Sequence, residues 1–143
     1  SLLAHSNKHK KELHEAIYIS GNTVESEIPI GVEMVMQYTD TYTFRSSCAS
    51  GKCIATIISG PPPRNPTVPQ PVQFTWDGSS WTQVSEFQWD CMMHDTTIQW
   101  APARSNVRYT PQADGTLAGV MHTDILNGPC QGTIEMHMTA ARA

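Results

Sequence analysis

The residues with the most specific chemistry in this chain are its cysteines and histidines. Cys91 precedes His94 by three positions, a spacing at which an imidazole can activate a thiolate for nucleophilic attack. That chemistry requires a free thiol, and a disulfide at Cys91 would remove it. No serine-hydrolase, zinc-protease, P-loop or dinucleotide-binding motif occurs. We therefore expect a non-catalytic chain without a cofactor.

The six histidines offer nitrogen ligands for a metal ion. His5 and His9 are four residues apart and would share one face of a helix, although helix ends fray so close to a terminus. His122 and His137 fall on segments that we expect to be neighbouring strands. No acidic or cysteine partner accompanies them at a fixed spacing, so we predict no metal site.

The four cysteines instead predict two disulfides. Their spacing matches no Cys-x2-Cys zinc pattern. Of the possible pairings we favour Cys48–Cys53 across a hairpin turn and Cys91–Cys130 between two distant strands. In the chain-entropy model the short loop contributes about 2 kcal/mol and the long loop about 4 kcal/mol. Disulfides place the chain in an oxidising, extracytoplasmic compartment.

Methionine and tryptophan are the other notable residue types, with seven and four copies. Packing accounts for most of them, because large side chains must fill the interior of a small β domain. The alternative is a soft apolar pocket for a lipid-like or other apolar ligand. The methionines considered for such a pocket are Met34, Met36, Met92, Met93, Met121, Met136 and Met138. The candidate ligand-binding residues are Trp89, Trp100, Met121 and Met136.

The segments that carry these residues have the pattern of antiparallel strands. Residues 42–47 and 53–59 alternate in polarity around a short turn and predict a first hairpin. A second hairpin turns at Asp77-Gly78, where Trp76 and Trp81 can pair across the strands. Further strands are predicted at residues 96–100, 106–110, 116–124 and 132–139. Strands at this spacing are typical of an all-β antiparallel sandwich or barrel.

The N-terminal 40 residues have a different pattern. Leu13, Ala16 and Ile17 have the spacing of a helix face, and Ser6 and Asn7 can cap the helix. We predict a short leader helix and an arm over residues 1–40, followed by a disulfide-stapled β domain over residues 41–143.

Residues 60–71 contain six of the ten prolines. Proline removes a backbone hydrogen-bond donor, so this segment cannot lie inside a sheet. We expect a stiff connection between two strands rather than a ligand for an SH3-type domain.

The charge and hydropathy of the sequence argue against two features, a nucleic-acid partner and a transmembrane helix. The formal net charge is −4, with only nine lysines and arginines and no basic stripe, so nucleic acid is not an expected partner. No apolar run is long enough for a transmembrane helix. A membrane connection would have to come through a segment outside this sequence.

From Tyr42 onward the layout resembles a family of actinobacterial extracytoplasmic domains. The matching features are Tyr-Thr-Phe-x-Ser-x-Cys at 42–48, Cys-x-Ala-Thr at 53–56, Trp-Asp-Gly-x-x-Trp at 76–81, Cys91, Gly-x-Leu-x-Gly at 115–119 and Cys-x-Gly at 130–132. The family includes sensor domains of mycobacterial receptor serine/threonine protein kinases and related secreted or lipid-anchored proteins.

This resemblance implies a non-catalytic sensor or ligand-binding domain, with a membrane anchor and a kinase domain upstream. The ligand would be a small molecule or a protein, and a homodimer could transmit the signal. The alternative is a stand-alone secreted or lipid-anchored protein that binds an apolar small molecule or lipid.

Overall fold

The computed structural model describes residues 13–26 and 38–142. These residues form eight strands: β1 (Leu13–Ser26), β2 (Tyr38–Ala49), β3 (Lys52–Ser59), β4 (Gln73–Trp76), β5 (Trp81–Met92), β6 (Ile98–Pro111), β7 (Leu117–Ile125) and β8 (Gly132–Arg142). All neighbouring pairs are antiparallel and follow sequence order. Because β1 pairs with both β2 and β8, the sheet closes into a barrel. The all-β prediction is confirmed, and the architecture is a barrel rather than a sandwich.

The helix predicted around Leu13, Ala16 and Ile17 is wrong where the structure describes it. From Leu13 the backbone is strand β1, which pairs with β2 on one side and with β8 on the other. Ile17, Tyr18 and Ile19 are β-branched or aromatic residues that favour strands. Pairing on both sides outweighs a three-residue helical spacing. The upstream part of the predicted helix and residues 27–37 of the predicted arm lie outside the described residues.

The interior of the barrel is filled by alternate residues of each strand. Odd-numbered positions of β5, β6 and β7 and even-numbered positions of β8 face inward, because side chains alternate between the two faces of a sheet. The buried apolar residues on these four strands are Trp81, Cys91, Ala101, Ala103, Tyr109, Leu117, Ile125, Ile134, Met136, Met138 and Ala140. They form one core with Phe44 and Phe74.

Strand β6 joins two strands that were predicted to be separate, at residues 96–100 and 106–110. Pro102 lies within it, opposite Gln88 of β5. Its carbonyl accepts a hydrogen bond from the Leu126 N–H just beyond the last residue of β7, at 2.9 Å. Proline is tolerated here because the β6–β7 ladder ends at this point, so its missing N–H interrupts no continuous ladder.

One glycine, Gly119, makes room for the ring of Tyr109 in the core. A Cβ atom at Gly119 would lie 2.5 Å from Cε1 of Tyr109 on the facing strand. The Tyr109 ring packs edge-on against Phe74, with 5.7 Å between ring centroids, and its hydroxyl donates to Sδ of Met138 at 3.4 Å. Because Gly119 of β7 has no side chain, the Tyr109 ring of β6 can occupy this space and reach Met138 of β8.

The wall of the barrel is incomplete between β3 and β5. Strand β4 has four residues and pairs with β5 only at Thr75–Thr82 and Trp76–Trp81. Beyond Thr82, β5 continues to Met92 without a described strand on the side away from β6. Residues 60–71, which we call the proline segment, connect β3 to β4 as predicted and lie along this gap.

Two disulfides staple the barrel. Cys48 is bonded to Cys53 across the β2–β3 turn, and Cys91 at the end of β5 is bonded to Cys130 in the β7–β8 turn. This is the pairing that the loop geometry favoured. Trp76 and Trp81 also pair across the β4–β5 turn, with ring centroids 5.3 Å apart. Within the described part of the chain, no helix has the length and apolarity to cross a membrane.

Candidate functional site

A cavity of about 550 Å³ lies inside the barrel, next to the gap between β3 and β5. Its lining combines the inner faces of the strands with the proline segment. The apolar part of the lining contains Phe74, Phe87, Met121, Met136 and Met138. Methionine is flexible and polarisable, so these side chains can adapt to ligands of different shape.

A polar stripe runs along one side of this cavity. Gln83 and Ser85 of β5 and Ser105 of β6 all occupy inward positions of their strands and line the cavity. The Ser105 hydroxyl is hydrogen-bonded to the hydroxyl of buried Thr123, with 2.5 Å between the oxygens. Among the described residues, the side chains of Gln83 and Ser85 form no hydrogen bond to another protein group. These two side chains are therefore available to a bound molecule.

No charged side chain is among the described residues that line the cavity. Burial of an ion without a partner of opposite charge is costly, because the ion loses its hydration. The cavity therefore suits a neutral molecule that is mostly apolar and carries a hydrogen-bonding group.

The outer wall of the cavity is the proline segment. Its residues Gly60, Pro61, Pro62, Pro63, Val68 and Gln70 belong to the lining. The side chains of Asn65 and Thr67 attach the segment to Gln88 of β5. Asn65 Nδ2 donates to the Gln88 carbonyl at 2.6 Å, and the Gln88 N–H donates to Oγ1 of Thr67 at 2.9 Å. These two side chains thus bond the backbone N–H and carbonyl of Gln88, as the backbone of a neighbouring strand would.

The four candidate ligand-binding residues fall in three different places. Met121 and Met136 line the cavity. Trp89 faces inward but packs against the core outside the lining, two residues from Cys91. Trp100 is 47% exposed on the outer face, because even-numbered positions of β6 point outward. The structure therefore does not bring Trp100 to this cavity, and its role in ligand binding stays a prediction.

The other methionines do not add to this lining. Met92 is exposed, and Met93 packs against the core without being a lining residue. Met34 and Met36 lie outside the described residues. The methionine character of the cavity comes from Met121, Met136 and Met138, on two adjacent strands.

Sequence reasoning missed Gln83, Ser85 and the attachment through Asn65. A signal for the first two was present, since they share the inward parity of Trp81 and Phe87 in a clearly alternating strand. Polar residues on an otherwise apolar face indicate a cavity or a ligand rather than packed core. No comparable signal marks Asn65, because its partner is a backbone group 23 positions away.

The histidines of β7 and β8 lie on the outer surface. His122 contacts Asp124 at 3.0 Å, and His137 contacts Glu135 at 3.2 Å. These acidic partners, each two positions away in the strand, were not anticipated. In the described residues no group of three histidine, cysteine or acidic side chains is arranged to hold a metal ion. His5 and His9 lie outside those residues.

The perturbed carboxylates belong to turns and not to the cavity. The backbone N–H groups of Ser79 and Ser80, together with the Arg108 guanidinium at 2.9 Å, lower the pKa of Asp77 to about 2. Hydrogen bonds from Thr97 and Thr116 lower the pKa values of Asp95 and Asp114 in the same way. Cys91 is in a disulfide and offers no thiolate. Among the described residues, the cavity thus lacks an acid, a base and a nucleophilic thiol.

Comparison with known proteins gives one family and a related structure. Residues 24–143 match the family model described as the PknI serine/threonine-protein kinase sensor domain. A solved structure described as the monomer form of the M. tuberculosis PknI sensor domain superposes with a TM-score of 0.63 at 14% sequence identity, covering 95% of this chain and 90% of that chain. At this identity the superposition shows a shared fold. None of the curated proteins matches this sequence.

Proposed function

The chain belongs to the family of PknI serine/threonine-protein kinase sensor domains, and from that premise we propose that it is the non-catalytic, extracytoplasmic sensor of a membrane receptor kinase. The sensor-domain resemblance noted in the sequence is thus confirmed at the level of the family. The two disulfides support an oxidising location outside the cytoplasm. A cavity without an acid, base or thiol supports binding rather than catalysis.

The cavity in the barrel is the proposed sensing site. Its volume of about 550 Å³ lies within the range of about 300 to 1,000 Å³ that is usual for small-molecule sites. The lining gives the expected ligand class: a neutral, mostly apolar molecule with one or two hydrogen-bonding groups placed against Gln83 and Ser85. The observation that carries the proposal is this apolar cavity with two unused polar side chains.

A ligand can transmit a signal only if it binds one conformation of the sensor more tightly than another. The strand walls of the cavity are held by continuous ladders, whereas the proline segment is not. Occupancy of the cavity therefore acts most directly on the position of the proline segment and on the surface that this segment presents.

The first test measures binding of a neutral apolar fluorophore, N-phenyl-1-naphthylamine, to a cavity variant and a matched surface variant. Met121→Trp places a larger side chain in the cavity, whereas Val120→Trp places the same side chain on the outer face of the same strand. We expect the cavity variant to weaken the dissociation constant at least tenfold, because about 1.4 kcal/mol of lost contact suffices for that change. The surface variant should bind like wild type.

Folding of both variants is checked by thermal unfolding, and Ser85→Phe serves as a second cavity variant. Native mass spectrometry of protein purified from its own host should show a neutral apolar adduct that Met121→Trp loses. Wild-type protein that binds no fluorophore and carries no adduct would contradict the proposal. Equal binding by the cavity and surface variants would contradict it as well.

A further inference from the structure

We propose that the proline segment is a gate, and that the ligand enters the barrel sideways through the gap between β3 and β5. The gate is closed by a latch, which consists of the side chains of Asn65 and Thr67 bonded to the backbone of Gln88. The inference rests on the proposed function, since a gate has a role only if the cavity is filled and emptied.

The gap is built into the pairing of the sheet. On the β3 side the ladder with β4 ends at Thr56–Gln73, followed by one bond from the Ile57 N–H to the Val72 carbonyl at 3.0 Å. On the β5 side the ladder with β4 ends at Thr82. Beyond these points the described residues place no strand between β3 and β5. The inner faces of Gln83, Ser85 and Phe87 border the cavity here, so displacement of the proline segment would expose them laterally.

The latch is a closed cycle of hydrogen bonds. The Gln88 N–H donates to Oγ1 of Thr67 at 2.9 Å, and Thr67 Oγ1 donates to Oδ1 of Asn65 at 2.6 Å. Nδ2 of Asn65 then donates to the Gln88 carbonyl at 2.6 Å. Each group in the cycle has a partner, so the donor and acceptor of Gln88 are both satisfied without a strand. The Thr67 hydroxyl also lies 3.2 Å from the Gln88 carbonyl. Loss of the Asn65 amide or of the Thr67 hydroxyl therefore removes at least one of the hydrogen bonds that Gln88 makes to the proline segment.

The same turn motif occurs elsewhere in the described chain without the latch, which shows what is specific to residue 65. At Asp77, Asp95 and Asp114 the carboxylate also accepts from the backbone N–H and the hydroxyl of the residue two positions later. Those turns have aspartate, which cannot donate. Asn65 keeps the accepting oxygen for its own turn and adds an amide donor that reaches Gln88.

Few other bonds hold the segment in place. In the part of the chain that the structure describes, the hydrogen bonds that join residues 60–71 to the barrel are those to Gln88. Six of these twelve positions are prolines without an N–H. The segment also begins at Gly60, where φ is 146°, a region that favours glycine. A segment with few bonds and exposed backbone opens at low free-energy cost.

The test changes the latch by one atom type. Asn65→Asp keeps the turn acceptor but removes the donor and places a carboxylate oxygen against the Gln88 carbonyl. Asp114→Asn is the matched control, because it makes the reverse exchange in a turn of the same kind that has no latch. Thr67→Val is a second latch variant, which removes the acceptor for the Gln88 N–H.

Stopped-flow binding of N-phenyl-1-naphthylamine gives the rates. We expect both latch variants to raise the association and dissociation rate constants about five- to tenfold, the effect of losing one hydrogen bond. The dissociation constant should change less than twofold, because the cavity lining is intact. Hydrogen exchange of the Gln88 amide should accelerate in the latch variants and not in Asp114→Asn.

The experiments distinguish failure of the proposed gate from failure of the proposed ligand site. If wild type binds the fluorophore and both latch variants bind at wild-type rates, the gate is wrong while the cavity site stands. If the Gln88 amide exchanges equally in all four proteins, the latch does not hold the segment and the gate is also wrong. If wild type binds no fluorophore and carries no apolar adduct in native mass spectrometry, the proposed function itself fails, whatever the exchange rates show.

Discussion

At the scale of single residues, the barrel interior contains a hydrogen-bonded pair of polar side chains, Ser105 and Thr123. Ser105 and Thr123 lie on adjacent strands at directly paired positions, and both are buried. Their shared hydrogen bond satisfies two hydroxyls that water cannot reach easily. The pair thus lets a polar group line the cavity without an unsatisfied partner behind it.

Replacement of Thr123 by valine should destabilise the protein more than its small change in volume suggests. The Ser105 hydroxyl would lose its partner, which costs about 1 to 2 kcal/mol of unfolding free energy. Urea unfolding measures this loss. In the double variant Ser105→Ala/Thr123→Val the loss should be smaller than the sum of the two single losses, because no unpaired hydroxyl remains. Strict additivity would show that the two hydroxyls do not depend on each other.

Asp77, in the turn between β4 and β5, makes a pH-dependent contribution to the stability of the folded protein. Its pKa in the folded state is about 2, against an ordinary value of 3.8, so the folded state favours the ionised carboxylate. The resulting stabilisation is complete above the unfolded-state pKa, near pH 4, and is lost as the pH falls toward 2. The lowered pKa values of Asp95 and Asp114 act in the same direction.

We therefore expect the urea midpoint of the wild type to fall between pH 4 and pH 2. Asp77→Asn keeps the oxygen that accepts from Ser79 and Ser80 but does not titrate. Its midpoint should fall less steeply over this interval. Parallel pH profiles for the two proteins would show that Asp77 does not contribute to acid sensitivity.

Residue type alone was a partial guide to the cavity. Met121 and Met136 line it, whereas Trp100 points outward because of its position in the strand. Gln83 and Ser85 were overlooked because they are polar. The parity of a residue within its strand decides which side it faces, and parity follows from pairing that only the folded sheet defines.

At the scale of elements, the hairpins were predictable because their signals are local. The turn at Asp77-Gly78 and the alternating residues of β2, β3 and β8 lie where expected. Strand β1 was not predictable in the same way. Leu13, Ala16 and Ile17 fit both a helix and a strand, and pairing with β2 and β8 decides between them. The break predicted between residues 100 and 106 is wrong for a similar reason, since the cost of Pro102 within β6 depends on where its neighbouring ladder ends.

The two disulfides should differ in their effect on stability. Cys91–Cys130 closes a loop with a sequence separation of 39, and Cys48–Cys53 closes one with a separation of 5. The chain-entropy model gives about 4 kcal/mol for the former and about 2 kcal/mol for the latter. We expect Cys91→Ser/Cys130→Ser to lower the unfolding free energy about twice as much as Cys48→Ser/Cys53→Ser, measured by urea unfolding under non-reducing conditions. A larger loss from the hairpin pair would contradict this order.

At the scale of the whole molecule, barrel closure is what the sequence could not determine. A sandwich and a barrel use the same alternating strands and the same turns, and they differ in whether the outermost strands meet. Here that decision lies in the register between β1 and β8, from Ile17–Arg142 to Ser26–Ile134. These partners are far apart in sequence, so no local pattern reports their pairing.

The short β4 is the second feature of the whole molecule that local reasoning missed. The proline segment was expected to connect strands, and it does. That it also completes a wall follows from the difference in length between β4 and its neighbour β5. A connection and a gate have the same sequence signature, and the surrounding sheet distinguishes them.

The pairing of β1 with β8 also affects how fast the protein folds. Pairing of residues more than a hundred positions apart carries a large loop-closure entropy, and folds rich in such contacts form slowly. Among the eight described strands, β1 is synthesised first, yet one of its two partners, β8, is synthesised last. Until β8 arrives, the growing chain has an unpaired strand edge on β1, and such edges attract other chains. The chain therefore stays prone to aggregation until β8 pairs with β1 and completes the barrel.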